Sequence, residues 1–436
     1  MTARGTAAPS RSYARIAADR LIRSRTVQVG LAVGAGYLWR RMADRADRSD
    51  NIGLVDWNQV ERIAAQRFRH SPGHLSKAEL NAAAPAYEQA MSRIVPLLEE
   101  RLGAPLPGVV ERHSVVDRNG WARANMVMFQ ELVGHLEEML IPPDRPRGAG
   151  ASVAAFANRF VATRQIGFVL GYLGTRVLGQ YDVALLSAES TPGRLLFVEE
   201  NVRQAAAQLG LPLDEFRVWI ALHETTHAFE MEAHPWLRPY LKDRLERQIA
   251  LFLEEAKHLQ SRGLRHLAER WRSAAAEGGF AGFMSPEQRG LFRETQLVMS
   301  LLEGFSDWVM DEVGDKVLTD VPGMRLRFDA RRTQKRRGID RVVARLTGLD
   351  LKMDQYKRGE RFVSGVAKAG GDRAVGHLWD GPQALPTDAE MDDPAAWVRR
   401  VVPPLSATDR AAATDPATAT GPTTTTDSTA EAPAPA

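Results

Sequence analysis

The sequence predicts a mainly α-helical fold carrying a small β hairpin or sheet. Three observations lead there. Apolar residues recur at helical spacing through most of the middle of the chain, helix after helix. Short apolar runs bounded by turn residues occur convincingly only once, at Asp182–Leu186 and Leu195–Val198, on either side of Ser190-Thr191-Pro192-Gly193. With 436 residues, 44% of them hydrophobic and 25% charged, the chain is globular and longer than one ordinary domain, which suits an enzyme of two lobes around a cleft.

Taken in order, residues 1–50 form a basic leader rich in Arg and small residues. Within it, Val27–Trp39 is nearly all apolar or Gly but too short to span a bilayer, and it runs into Arg40-Arg41 rather than a small-residue cleavage site. That ending favours a helix packed on the body of a cytoplasmic protein, with no stable membrane insertion; a helix lying on a membrane surface is the other reading. Helices are expected over Val55–Phe68, over Lys77–Leu102 with Pro85 and Pro96 as breaks or kinks, and over Trp121–Leu140. Ala151–Leu178 reads as a central buried helix or a broken pair, because Arg159, Arg164, Gln165 and Arg176 interrupt any membrane-type run. The hairpin follows, either pairing with an extended substrate or simply capping the core. After a helix starting near Pro212-Leu213-Asp214-Glu215 and ending before Pro235, the segments Pro239–Arg262 and Leu264–Ala275 look like a solvated helical insertion over the cleft. Ser285-Pro286-Glu287-Gln288 is a strong helix start. A basic run from Arg325 to Arg345 reads as a solvated face or as a patch for an anionic partner. The Ala/Thr/Pro-rich residues 404–436 cannot bury a core and are expected to form a disordered tail. One catalytic domain, residues 51–403, is therefore expected between leader and tail, with an N-terminal lobe 51–234 and a helical C-terminal lobe 235–403.

Net charge is only +3, so nucleic-acid binding is not implied. The chain contains no cysteine, which excludes disulfides, thiol nucleophiles and Cys-ligated metal; any metal must be held by His and carboxylate.

Such a site is offered by Ile220-Ala221-Leu222-His223-Glu224-Thr225-Thr226-His227-Ala228-Phe229. Residues four apart share a helix face, so His223 and His227 can aim both imidazoles at one cation, about 2.0–2.1 Å from each ring nitrogen if it is zinc. Glu224 projects about 100° round the helix, beside the metal, where a general base acting on water would stand. The flanking residues are all uncharged, as a helix buried on both sides of a site requires. Two hydrogen-bonded core histidines would produce the same pattern. A third ligand weighs against that, and Glu303 and Asp307 supply candidates, four apart on one face of the mostly apolar run Gln296–Trp308. A buried carboxylate without a partner costs several kcal/mol, roughly, so both need an explanation. Glu303 on the metal and Asp307 accepting the free N–H of a ligand histidine would satisfy both. His234 and Tyr240, just beyond the turn at Pro235, are considered as donors to a tetrahedral intermediate.

Glu303-Gly304-Phe305-Ser306-Asp307 resembles the second-helix motif of the gluzincin metallopeptidases. That resemblance implies His223, His227 and Glu303 as zinc ligands, Glu224 as the base and Asp307 as the partner that orients His223. The 76 residues from His227 to Glu303 (303 − 227) exceed the spacing of the thermolysin-like members and require an inserted segment. Trp219–Leu237, Gly179-Gln180-Tyr181-Asp182, Lys352–Tyr356 and Trp379-Asp380-Gly381-Pro382 look like the actinobacterial zincin-like family linked by association to deazaflavin-coenzyme biosynthesis. The likeness, over about residues 50–403, implies a zinc-dependent metalloprotease with a zincin-like two-lobed domain.

Three function classes follow. A hydrolase would hold one zinc per chain and cleave peptide or protein substrate with Glu224 moving the proton. A dinuclear helical-bundle protein would use Glu224-Thr225-Thr226-His227 with Glu255-Ala256-Lys257-His258, but leaves His223 unexplained. A binding or scaffold protein would keep the metal as a structural staple, although a closed site needs a fourth ligand and none is obvious. Nothing in the sequence fixes the oligomeric state.

Overall fold

A computed structural model of the chain describes residues 53–140, 149–182, 193–251, 254, 284–333 and 349–404. The N-terminal leader, the expected strand Val183–Leu186, most of the helical insertion with Glu255 and His258, the basic run beyond Thr333 and the tail lie outside them. The described part is mostly helical with one three-stranded sheet, as the sequence predicts. No described helix is long and apolar enough to cross a membrane.

The chain divides into two compact units, residues 1–292 with 309–347 and residues 293–308 with 348–436. The first unit opens with α1 (Trp57–Arg69), capped by the Asp56 side chain, which accepts from the Gln59 N–H at 3.0 Å. The next helix, α2 (Lys77–Leu102), begins in a Ser76/Glu79 capping box and stops at Gly103, whose φ of 69° suits a left-handed cap. Pro85 and Pro96 do not divide it, so of the two expected readings, breaks or kinks, the break is excluded. Its face of Ala83, Tyr87, Ala90, Met91, Ile94, Val95 and Leu98 is buried, and that packing outweighs the backbone bonds the prolines remove. After strand β1 (His113–Val116) come α3 (Arg118–Leu140) and α4 (Ala149–Gly174). Val60, Ala64 and Phe68 of α1 share a core with Trp121 and Ala122 of α3, Leu170 of α4, and Leu196 and Val198.

Strand β2 (Gly179–Asp182) and strand β3 (Arg194–Val198) complete the sheet, in the order β1-β3-β2. The first strand of the hairpin thus begins earlier than its apolar run suggests. β3 is antiparallel to β2, with Gly179 opposite Phe197, and parallel to β1, with His113 opposite Leu195. As the central strand it is buried from Leu195 to Val198, while β2 stands at the edge.

β3 passes without a loop into α5 (Glu199–Leu209), and both acidic residues at its start are buried. Each is answered by arginine. Glu199 binds Arg217 on α6 (Leu213–Glu232), Arg203 at 2.8 Å and the Tyr87 hydroxyl at 2.8 Å. Glu200 accepts from the Arg118 N–H at 3.1 Å and lies 3.6 Å from its fully buried guanidinium. Burial, followed by the neighbouring Glu199 charge, pushes the Tyr87 phenol well above its usual range, so Tyr87 stays a neutral donor. This clamp ties α6 to α2 and to the sheet. Past α6, residues 237–251 are helical again and form α7.

α8 (Pro286–Gly314) starts in the capping box of Ser285 and Gln288 that the sequence signals. It begins in the first unit, contributes Arg293–Trp308 to the second and returns. α9 (Val321–Thr333) belongs to the first unit. Two of its basic residues are engaged there: Arg325 lies 3.0 Å from Asp311, and Arg327 donates to the Gly210 carbonyl at 2.8 Å.

In the second unit, α10 (Leu349–Gly376), kinked at Gly371, crosses the middle of α8 with backbones in contact. A Cβ on Gly359 would lie 1.8 Å from the Ser300 carbonyl oxygen, and one on Gly304 would lie 2.2 Å from the Gly359 carbonyl carbon. Phe305 meets Trp379 edge-on at 5.4 Å, and Phe362 meets Trp397 of α11 (Pro394–Val401) at 5.8 Å.

Candidate metal centre

α6 carries three of the predicted site residues because its surroundings are apolar almost all round. Ile220, Ala221, Leu222, Thr225, Thr226, Ala228 and Phe229 are all buried, and between Ile220 and Glu230 only His223 and His227 are half-buried, on one face. Their rings lie 4.7 Å apart, centroid to centroid, at 80° to each other. The helix ends at Glu232, before Pro235, as expected.

Glu303 on α8 is half-buried, as is Asp307 one turn on. Ligand atoms of His223, His227 and Glu303 all lie within 4.8 Å of one another, so these three could hold one metal ion. Two imidazoles and one carboxylate form the donor set that catalytic zinc takes while keeping a position open. Gly304 has its own structural reason for following Glu303, since only a residue without a side chain fits against α10.

One carboxylate was missed by sequence reasoning. Glu230, three residues after His227, is fully buried, and its Oε2 lies 2.7 Å from His227 Nδ1. A carboxylate there makes Nδ1 the protonated nitrogen, which leaves the Nε2 lone pair for a metal. That contact is the observation on which the metal fits. The signal was present, since residues three apart share a helix face, but Glu230 stands among Glu232 and other polar residues at a helix end, where charge is ordinarily solvated.

Glu224 is 8% exposed and faces the edge strand. A Cβ placed on Gly179 of β2 would fall 2.5 Å from Glu224 Cγ and 2.8 Å from its Oε1, so the strand backbone lies directly against the carboxylate. Two residues on, Tyr181 donates to Glu232 at 2.6 Å and accepts from the Gly193 N–H at 3.1 Å. Arg112 grips the same Glu232 with two nitrogens at 2.8 Å each. Burial, then the bond to Glu232, raises the Tyr181 phenol above its usual range, and Glu232 raises Arg112. The end of α6 is thereby pinned to β2 by a charge-assisted network. The Gly179–Asp182 segment, singled out by resemblance, is the strand that shields Glu224.

Of the two considered donors, His234 uses Nδ1 on the Glu230 carbonyl at 2.9 Å, and Tyr240 lies beneath the Arg244 guanidinium at 3.6 Å. Those contacts give each a structural occupation. Thr225, also fully buried, has a hydroxyl with no hydrogen-bond partner among the described residues.

A crystal structure from Chloroflexus aurantiacus, described provisionally as a hydrolase with a novel fold, is similar to this chain at 35% identity. The match covers 79% of this chain and 98% of that one, with a TM-score of 0.58. No curated protein matches the chain. Residues 55–398 match the family model of the zincin-like metallopeptidases, and the chain belongs to that family.

Proposed function

We propose that this zincin-like metallopeptidase hydrolyses peptide bonds, with His223, His227 and Glu303 holding one zinc and Glu224 as the general base. The observation that carries the reading is the approach of three ligand atoms to within 4.8 Å of one another, two of them on the helix that also carries Glu224. Bound there, zinc supplies Lewis acidity and lowers the pKa of a coordinated water to about 7. Glu224 takes the proton from the attacking water and later delivers it to the leaving nitrogen. Its burial against Gly179 excludes bulk water from that proton path. Glu230 holds His227 in one tautomer through Nδ1, and Asp307 is proposed to do the same for His223.

The substrate is proposed to run in extended form along β2. Among the described residues this edge strand pairs on one side only, with β3, so its other backbone edge is available for strand addition. A substrate laid there passes Gly179 and hence Glu224. The link with deazaflavin-coenzyme biosynthesis supplies no substrate and enters none of these steps.

The test is metal content together with turnover. Purified protein should hold one zinc per chain, and Glu224→Gln should keep the metal while losing cleavage of a mixed peptide library by at least about a thousandfold, the scale of general acid–base catalysis. Glu303→Ala should lose the metal and Glu255→Ala should not. Two irons per chain would support the dinuclear reading instead, and zinc without turnover in the wild type would support the scaffold reading.

A further inference from the structure

A second concave site lies in the first unit, where the ends of α1 and α4 meet α5. The cavity holds about 520 Å³ and is lined by Arg67, His70 and Ser71 from the end of α1, Thr175 and Arg176 from the end of α4, and Asn201, Gln204 and Gln208 from α5, with Pro72 at its edge. Its lining contains two guanidiniums and an imidazole but no carboxylate.

The orientation of its polar groups is fixed from behind. Arg118, fully buried, donates to Gln204 Oε1 at 2.9 Å and to Asn201 Oδ1 at 2.7 Å. Because arginine can only donate, both amide oxygens must face it. Asn201 spends its NH₂ on the Gly174 and Val177 carbonyls at 2.8 and 2.7 Å, which leaves the Gln204 NH₂ as a donor on the cavity side. Arg67 has no carboxylate partner among the described residues; its guanidinium lies 5.6 and 5.5 Å from the Phe168 and Tyr172 ring centroids. Arg176 stacks on Tyr172 at 3.7 Å, so both arginines lie against the Tyr172 ring.

Helix polarity opposes an anion here, since α1 and α4 both point C-terminal ends at the cavity. Each end amounts to about −0.5 charge, whereas a guanidinium carries a full one. The carbonyls are also occupied already: Tyr172 O accepts from Thr175 and Arg176 at 3.0 Å each, and Gly174 O from Asn201.

We infer that this cavity binds a small organic anion, a phosphate ester or a polycarboxylate. Two stacked arginines match oxyanion geometry, and the amide and hydroxyl groups of Gln208, Gln204 and Thr175 match ligand hydroxyls. The volume exceeds what one inorganic phosphate fills and falls in the range of metabolite pockets. Among the described residues no Phe, Tyr or Trp lines the cavity, so it offers a nucleobase no such ring to stack on.

Calorimetric titration of the zinc-loaded protein with glycerol 3-phosphate, citrate and inorganic phosphate tests this. One saturable equivalent is expected for glycerol 3-phosphate or citrate, and the tighter of the two identifies the class. Gln208→Glu, at an exposed position, and Gln204→Glu, which preserves an acceptor for Arg118, each put negative charge in the cavity and should weaken binding by about tenfold or more. Unliganded thermal midpoints of both variants should stay at the wild-type value. Arg67→Met keeps the stack on Phe168 and Tyr172 but should abolish binding. Absence of saturable binding by all three anions would overturn the inference. So would undiminished binding to Gln208→Glu, because the anion would then sit elsewhere, such as at the metal.

Discussion

The two helices that supply the candidate ligands are held in different ways. α6 is fixed by side chains: apolar flanks, the Arg217–Glu199 ion pair near its start and the Glu232–Arg112–Tyr181 network at its end. The middle of α8 is fixed by backbone, since Gly304 and Gly359 let α8 and α10 touch with no side chain between them. Side-chain packing can relax around a substitution, but two backbones in contact cannot, so a single methyl at the α8–α10 crossing should cost more than most changes on α6.

The largest effect is therefore expected for Gly359→Ala. Its Cβ would enter the Ser300 carbonyl, and accommodation must separate the helices. A loss of about 3 kcal/mol or more in thermal or denaturant unfolding, with zinc lost alongside, is the expected outcome. Unchanged zinc content and stability would remove the contrast between the helices. Gly179→Ala probes the α6 side. It should push Glu224 aside and lower turnover about a hundredfold, the usual cost of a 1 Å misplacement, while zinc is retained. Loss of zinc rather than turnover would show that β2 supports the ligands and not the base. Glu230→Gln should weaken zinc affinity by about 10–100-fold, because a neutral amide fixes the His227 tautomer less firmly; competition with a chelator measures it.

Acid should weaken the second unit. In the second, the Arg400 guanidinium holds Glu390 well below its usual 4.5, to about 2, and Arg358 lowers Asp392 likewise. A carboxylate depressed in the folded state stabilises above its unfolded value, and that contribution fades as pH falls from 4.5 towards 2. Arg400→Met should flatten the loss of stability in that window, as read by unfolding at a series of pH values. The smallest effect is expected for Thr225→Val, which replaces a fully buried hydroxyl lacking a partner among the described residues with a methyl and should raise stability by about 1 kcal/mol. A fall instead would assign that hydroxyl a role beside Glu224.

Legibility followed the range of the interactions. His223, Glu224 and His227 were readable as candidates because four-residue spacing on a helix is local geometry, and Glu303 because a carboxylate in an apolar run demands a partner. The capping boxes at Ser76 and Ser285 are also local, although only the second was read in advance. The earlier start of β2 was not read because Val183–Leu186 has the stronger strand composition, whereas pairing with Leu195–Phe197 begins at Gly179. β1 gave no signal, since its partner β3 lies some 80 residues away (195 − 113 = 82) and parallel pairing leaves no local mark. The continuity of α2 through Pro85 and Pro96 came from a buried face that overrides propensity.

By itself, the sequence limited the candidate metal chemistry: without cysteine, any donors have to be imidazole and carboxylate, and a helix places two of them together at i and i+4. Tertiary structure decided the rest of the site. It brought Glu230 into burial beside His227, set the backbone of Gly179 against Glu224 and closed Gly304 onto Gly359, each a contact that depends on how elements pack. Such contacts are set by burial and close approach, which no spacing along the chain encodes.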